Sequence, residues 1–338
     1  MSVSIKDIAR RAGVSHSTVS RALADSSLVN PNTKSQIKEL ARQMGYAPSA
    51  IARAMSTRRT HTVGLVVTTI ADPFVAEVVR GVEETALDRD YNVILCDSTG
   101  DPSREIAAVR TLREKWVDAV IVTSSWVGDF YAQLAEIRVP VVLINNQHAG
   151  EYSFSVRTDD LQGGHLAGQY LLELGHRHIA YITGPVQATS SWLRLQGCQA
   201  ALRQARTEIP QDWVIQGDGQ PQSGERAAIS LLGRPARPTA IFCYNDMTAM
   251  GALRAVKGTG LSVPRDLSIL GYDDIAAAPY LDPPLTTIAQ AKFELGQKAF
   301  EMALDLIQGH AVADILLQPE LIARESCAAP ALQVLTSL

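Results

Sequence analysis

The 338-residue chain has no run of 18 apolar residues, so no membrane span is expected. Its N-terminus, MSVSIKDIARRAG, lacks the apolar core of a signal peptide, which predicts a protein that stays in the cytoplasm. Cysteine is scarce. Cys96, Cys198, Cys243 and Cys327 lie far apart and form no C-x-x-C pair, so they read as small buried apolar groups in a reducing compartment. There is no G-x-x-x-x-G-K-[ST], no G-x-S-x-G and no H-E-x-x-H, and the fragment GDG at Gly217–Gly219 is too short to count. An enzyme is therefore not expected, and no cofactor is called for. His165, His176 and His178 read as structural. The stretch LGHRHIAYI is a helix-to-strand turn with no third ligand at metal spacing, so no metal site is expected.

What is present is an ordinary globular composition, 46% hydrophobic and 20% charged, on a chain too long for one small domain. The net charge of -4 conceals an asymmetry: residues 1–60 hold ten Lys or Arg and three Asp or Glu, while the other 278 hold 21 and 32. A head of +7 on a body of -11 suggests that the head meets a polyanion and the body does not.

The head has the pattern of three short helices. Ile5, Ile8, Ala9 and Ala12 fall at i, i+3, i+4 and i+7, and Gly13 supplies a stop. Ser15 is a good N-cap for the next helix, whose inner face is Val19, Ala22 and Leu23. Ile37, Leu40, Ala41 and Met44 form a third stripe, ended by Gly45. Two helices joined by the tight turn Ala12-Gly13-Val14 match a helix-turn-helix. In VSHSTVSRAL the inner face leaves His16, Ser17, Ser20 and Arg21 pointing outward. Small groups allow a helix close approach in a major groove, and Arg can donate two hydrogen bonds to guanine O6 and N7.

The run SIKDIARRAGVSHSTVSRALADSSLVNPNTKSQIKELARQMGYAPSAIARAMSTRRTHTVGLV resembles the lactose-repressor (LacI/GalR) family of bacterial transcription regulators. The resemblance places His16, Ser17 and Arg21 at base-reading positions. It makes PSAIARAM, Pro48–Met55, a hinge helix, with Arg53 in its Ala-x-Ala-Arg pattern and Met55 as the minor-groove wedge where relatives carry Leu. Arg58 and Arg59 of the linker either meet phosphates or are simply solvated. The implied partners are a pseudo-palindromic double-stranded DNA operator, a second copy of the chain in a homodimer, and a small-molecule effector that is a sugar or sugar derivative. The implied function is that of a repressor whose operator affinity the effector controls.

From Thr62 onward, apolar β-rich runs (TVGLVVT, YNVILC, DAVIVT, PVVLIN, HIAYIT, TAIFCY, LSILGY) alternate with helix-length segments, which argues for parallel sheets covered on both faces. The fold expected is an α-helical headpiece followed by a doubly wound α/β body of two lobes, which the resemblance makes periplasmic-binding-protein-like. The expected limits are 1–46 for the helix-turn-helix, 47–60 for the hinge helix and linker, and 61–338 for the effector-binding and dimerisation domain. The resemblance puts chain crossings near Asp160, Ala289 and Ile322. The first lobe then takes about 61–160 with 290–322, and the second about 161–289 with 323–338.

Polar and aromatic residues cluster where the strands end, and in open α/β sheets the ligand crevice lies there. Amides, carboxylates, an Arg fork and an aromatic face suit a small polyhydroxylated ligand. By resemblance, GYDD makes Asp273 an acidic contact and RLQG makes Arg194 a donor. YNDMTAMG makes Asn245 an amide contact, VVLINN places Asn145 in the cleft, and DPFVAEVVRG places Phe74 at its mouth. Trp126 and Trp192 either face the ligand or pack under loops. Asp246 and Asp274 read as helix caps or loop holders. After Trp213 the family often carries Gly-Asp-Phe, whereas this chain has Gly219 at the aromatic position. One wall of an aromatic sandwich is therefore expected to be missing or supplied by Trp192. A solute-binding protein shares such a body but needs export and no DNA-binding head, so a ligand-responsive regulator is the reading preferred.

Overall fold

A computed structural model describes residues 3–46, 59–125, 127, 139–145, 154–186 and 188–331. The chain forms two compact units, Met1–Thr60 and His61–Leu338.

The head contains α1 (Ile5–Ala12), α2 (His16–Leu23) and α3 (Pro31–Gln43). Each start has a local cause. Ser4 and Asp7 form a reciprocal capping box on α1, Ser15 accepts from Thr18 N on α2, and Asn30 with Pro31 opens α3. Gly13, at φ +66°, ends α1 in the left-handed conformation and turns the chain into α2. Ile8, Ala9, Val19, Ala22, Val29, Ile37 and Ala41 close a small core between the three helices.

The body holds two six-stranded sheets built the same way. The first comprises β1 (Thr62–Val67), β2 (Asn92–Asp97), β3 (Ala119–Thr123), β4 (Val141–Ile144), β5 (Phe154–Thr158) and β11 (Ile315–Leu317), in the order β11-β5-β4-β3-β1-β2, all parallel. Helices α4 (Pro73–Leu87) and α5 (Pro102–Glu114) belong to this lobe. Alternation along β1 sends Val63, Leu65 and Val67 into one core layer and Val66 into the other. The second sheet comprises β6 (Ile179–Ile182), β7 (Val214–Ile215), β8 (Ala240–Cys243), β9 (Ser268–Asp273), β10 (Thr286–Ala289) and β12 (Glu320–Ile322), in the order β12-β10-β9-β8-β6-β7. Only β12 runs antiparallel to its neighbour. Helices α6 (Asp160–Glu173), α7 (Thr189–Gln204), α8 (Pro221–Leu232) and α9 (Asp246–Gly258) pack on this sheet, while α10 (Lys292–Gln308) returns to the first lobe.

Residues 320–322 pair with β10 in the second sheet, so the chain changes lobe at Gln318–Pro319, a few residues before Ile322. Five strands, β5, β7, β10, β11 and β12, are absent from the seven apolar runs read in the sequence. They are short, and β5 and β10 carry Ser, Arg or Thr, so hydrophobic patterning does not separate them from loops.

Helices α6 and α7 touch backbone to backbone. A Cβ at Gly164 would collide with the carbonyl oxygen of Arg194, and one at Gly197 with that of Leu161. This contact fixes the face of α7 that Arg194 occupies. Gly164→Val is expected to destabilise the body by about 1–3 kcal/mol, because the obstacle is backbone and cannot rotate away. Urea unfolding followed by circular dichroism measures it, and an unchanged midpoint would show that the two helices do not depend on this approach.

Candidate functional site

On the head, His16, Ser17, Ser20 and Arg21 are all exposed on α2, with Val19 and Ala22 buried behind them. The Ser17 hydroxyl lies 2.8 Å from that of Ser15, so the cap and the exposed face share one hydroxyl cluster. Several head cations are paired with head carboxylates: Lys34 and Lys38 with Asp25, Arg10 with Asp7, and Arg42 with Glu39. Arg21 enters none of these ion pairs among the described residues. Its fork is presented on the outer surface of a capped helix.

In the body, a cavity of about 790 Å³ lies beyond the carboxyl ends of both sheets. The first lobe contributes Thr69, Asp72, Phe74, Ser124 and Asn145, and the second Ser190, Arg194, Asp218, Tyr244, Asn245 and Asp273. Gln290, just after β10, lies between the two sets. The location follows from the strand order, which reverses beside β1 in one sheet and beside β6 in the other.

Arg194 is 3% exposed, and its surroundings engage two of its donors. Nε donates to Asp160 Oδ1 at 2.8 Å and Nη1 to the Tyr244 carbonyl at 2.6 Å. The guanidinium lies over the Tyr272 ring at 3.6 Å and the Tyr244 ring at 4.7 Å. Its Nη1 is 3.9 Å from Asp273 Oδ1, too far for a hydrogen bond.

Asp273 sits at φ +112° with Asp274 at φ +53°, a backbone that side chains rarely adopt. Lys292 stabilises this loop: its Nζ donates to the carbonyls of Asp273 at 2.5 Å and Asp274 at 2.7 Å. The Asp273 carboxyl accepts from Gln290 Nε2 at 2.7 Å. Burial pushes its pKa well above the usual carboxylate range; Arg194 and Gln290 oppose the shift, while Asp246 and Asp72 add to it. On its other side, the Gln290 Oε1 accepts from Thr158 Oγ1 at 2.7 Å and from Asn145 Nδ2 at 3.3 Å. One amide therefore ties groups of the first sheet to the acid of the second.

The comparisons agree with this architecture. Residues 60–325 match the family described as periplasmic binding proteins and sugar binding domain of LacI family, and residues 4–49 match bacterial regulatory proteins, lacI family. The chain belongs to the LacI family. It is 38% identical to the HTH-type transcriptional repressor PurR of Proteus mirabilis over 329 residues, 96% of each chain. Among solved structures it resembles the lac repressor dimer bound to operator and the anti-inducer ONPF, with a TM-score of 0.87 and 28% identity over 97% of this chain and 100% of that one. It also resembles a transcriptional regulator CelR–cellobiose complex, with a TM-score of 0.73 and 32% identity over 96% and 99%. The protein is an effector-controlled DNA-binding repressor of the LacI family, and not an enzyme.

Five of the residues expected in the LacI-family effector site line the cavity: Phe74, Asn145, Arg194, Asn245 and Asp273. Asn245 is also the N-cap of α9. Its Oδ1 accepts from Thr248 N at 2.9 Å and its Nδ2 donates to the Gly219 carbonyl at 3.1 Å. Trp192 is a correction. It is 55% exposed and absent from the described lining, because it stands two positions before Arg194, which turns it to the opposite side of α7. The aromatic surface beside Gly219 belongs instead to Tyr244, whose ring carbon would lie 3.4 Å from a Cβ at Gly219. Trp126, Arg53 and Met55 lie outside the described residues, as does the hinge segment 47–58. Asp246 and Asp274 hold loops: Asp246 accepts from Ile275 N and Thr287 Oγ1, and Asp274 from Arg324.

Sequence reasoning singled out neither Tyr244 nor Gln290, and gave Asp72 no role beyond its place after the first strand and Asp160 none beyond a lobe crossing. Gln290→Leu removes the partner of Asp273, Thr158 and Asn145 at once. It is expected to lower stability by about 1–3 kcal/mol, the cost of leaving a buried polar group unpaired. Denaturant titration checks this, and a neutral result would mean that water replaces the amide.

Proposed function

We propose that the effector is a sugar or sugar derivative bound in the 790 Å³ cavity between the lobes. The observation that carries this reading is the mixture of carboxylates, amides and hydroxyls on both walls with Phe74 and Tyr244 beside them. Paired ring hydroxyls engage such groups, and C–H faces of a sugar rest on aromatic rings. The cellobiose in the CelR complex supports the same class. The working division is a head of about 1–46, a hinge and linker of 47–60, and a sensing and dimerising body of 61–338. The protein acts in the cytoplasm as a homodimer on a pseudo-palindromic operator. The lac repressor, solved as a dimer on its operator, supports that assembly. His16, Ser17, Ser20 and Arg21 read base edges, consistent with their exposure on a capped helix. A ligand alters operator affinity only by as much as it prefers one arrangement of the body over another.

Two measurements test the reading. Calorimetry against a panel of mono- and disaccharides should find a binder whose affinity falls about tenfold or more in Asp273→Asn, which keeps the size of the side chain but loses half of its acceptor capacity. Trp192→Ala, outside the cavity, should leave that affinity within about twofold. An effector indifferent to Asp273 is held elsewhere. On the DNA side, Arg21→Ala should cost about 1–3 kcal/mol at one base pair of each half-site, read by gel shift on operator variants. An equal loss on operator and random DNA would remove Arg21 from base reading.

A further inference from the structure

The charges around the cavity are unbalanced. Among the described lining residues Arg194 is the sole cation, and Asp160, at 2.8 Å, already neutralises it. Asp72, Asp218 and Asp273 remain; among the described residues no cation is hydrogen-bonded to their carboxylates, the nearest being Arg194 at 3.9 Å from Asp273. The groups behind the lining do not change the sign. Lys292 and Arg324 sit beneath the Asp273–Asp274 loop, but so do Asp246 and Asp274.

Helix N-termini would ordinarily offset this, because five helices begin near the cavity and such ends attract anions. Three of those ends are already closed from within. Asp72 accepts from Phe74 N on α4, Asp101 from Ser103 N on α5, and Asn245 from Thr248 N on α9. A proline opens α4, α5 and α8, which removes a further donor from each. Helices α7 and α8 both start beside the cavity without a side-chain cap, and a helix end amounts to about half a charge. Two such half-charges do not outweigh the carboxylates of Asp72 and Asp273, to which the exposed Asp218 adds a solvent-screened third.

The carboxylates also have a direction. Asp72 lies on the first lobe and Asp273 on the second. Asp72 raises the cost of ionising Asp273 across the gap. A hydroxyl or ammonium donor between them relieves that repulsion, whereas a phosphate or carboxylate adds to it. Resting on the sugar reading above, we propose that the cleft selects an effector without negative charge, a free sugar or an amino sugar, and that Asp72 enforces the exclusion of phosphorylated and acidic ones.

Matched pairs test this on the full-length protein by calorimetry at pH 7.5: ribose with ribose 5-phosphate, glucose with glucose 6-phosphate, and glucosamine beside glucose. For any free sugar that binds, the phosphate ester should bind at least tenfold more weakly, and glucosamine at least as well as glucose. Asp72→Asn keeps the cap on α4, since Asn serves that position well, and should narrow the gap between sugar and ester several-fold. An ester that binds as tightly as its sugar overturns the proposal, and so does a gap that Asp72→Asn leaves unchanged. If no sugar binds but adenine does, the sugar reading falls. Adenosine monophosphate then serves as the anionic partner, and the same tenfold criterion decides the charge exclusion on its own.

Discussion

The body depends on one buried amide. Gln290 is 5% exposed and stands where the chain leaves the second sheet for the first. Its oxygen takes donors from Thr158 and Asn145, and its nitrogen donates to Asp273. An amide suits this position because it offers both senses of hydrogen bond from one planar group. A carboxylate there would face Asp273 with no proton to give, and an apolar side chain would take a shared partner from Thr158, Asn145 and Asp273. The acid of the second lobe is therefore held against the floor of the cleft by residues of the first.

Around that floor, each polar group of the cavity has a second task. Asn245 and Asp72 close helices, Arg194 is wedged between two tyrosine rings above Asp160, and Asp273 is carried on a backbone that Lys292 braces. Side chains so constrained lose little freedom when a ligand arrives, so less of the binding energy is spent on ordering them. The same constraint limits how far the walls can adapt, which is why an added negative charge has nowhere to go.

Much of this was legible in the sequence, for local reasons. The exposed face of α2 follows from a 3.6-residue period and two punctuation marks, Gly13 and Ser15. The lining by Phe74, Asn145, Arg194, Asn245 and Asp273 follows from their place at or after strand ends and from the family's motifs. The misses have physical causes as well. Tyr244 ends an apolar run and looks like core until its ring is placed beside Gly219. Gln290 has no motif, since its partners come from 132 residues before it at Thr158 and 17 before it at Asp273. Trp192 lies on the far side of α7 from Arg194, a consequence of helical phase that aromatic character alone does not carry.

The closed core of the head has an evolutionary consequence. Ile8, Val19, Ile37 and their neighbours pack on one another and share no member with the buried clusters of the two sheets. Selection on which DNA is read and selection on which molecule is sensed therefore act on disjoint sets of structural residues. The exposed face of α2 can drift toward a new operator without repacking either lobe, and the cavity can be recut for a new metabolite without disturbing the fold that reads DNA. One gene can thus inherit its address and its signal from different ancestors.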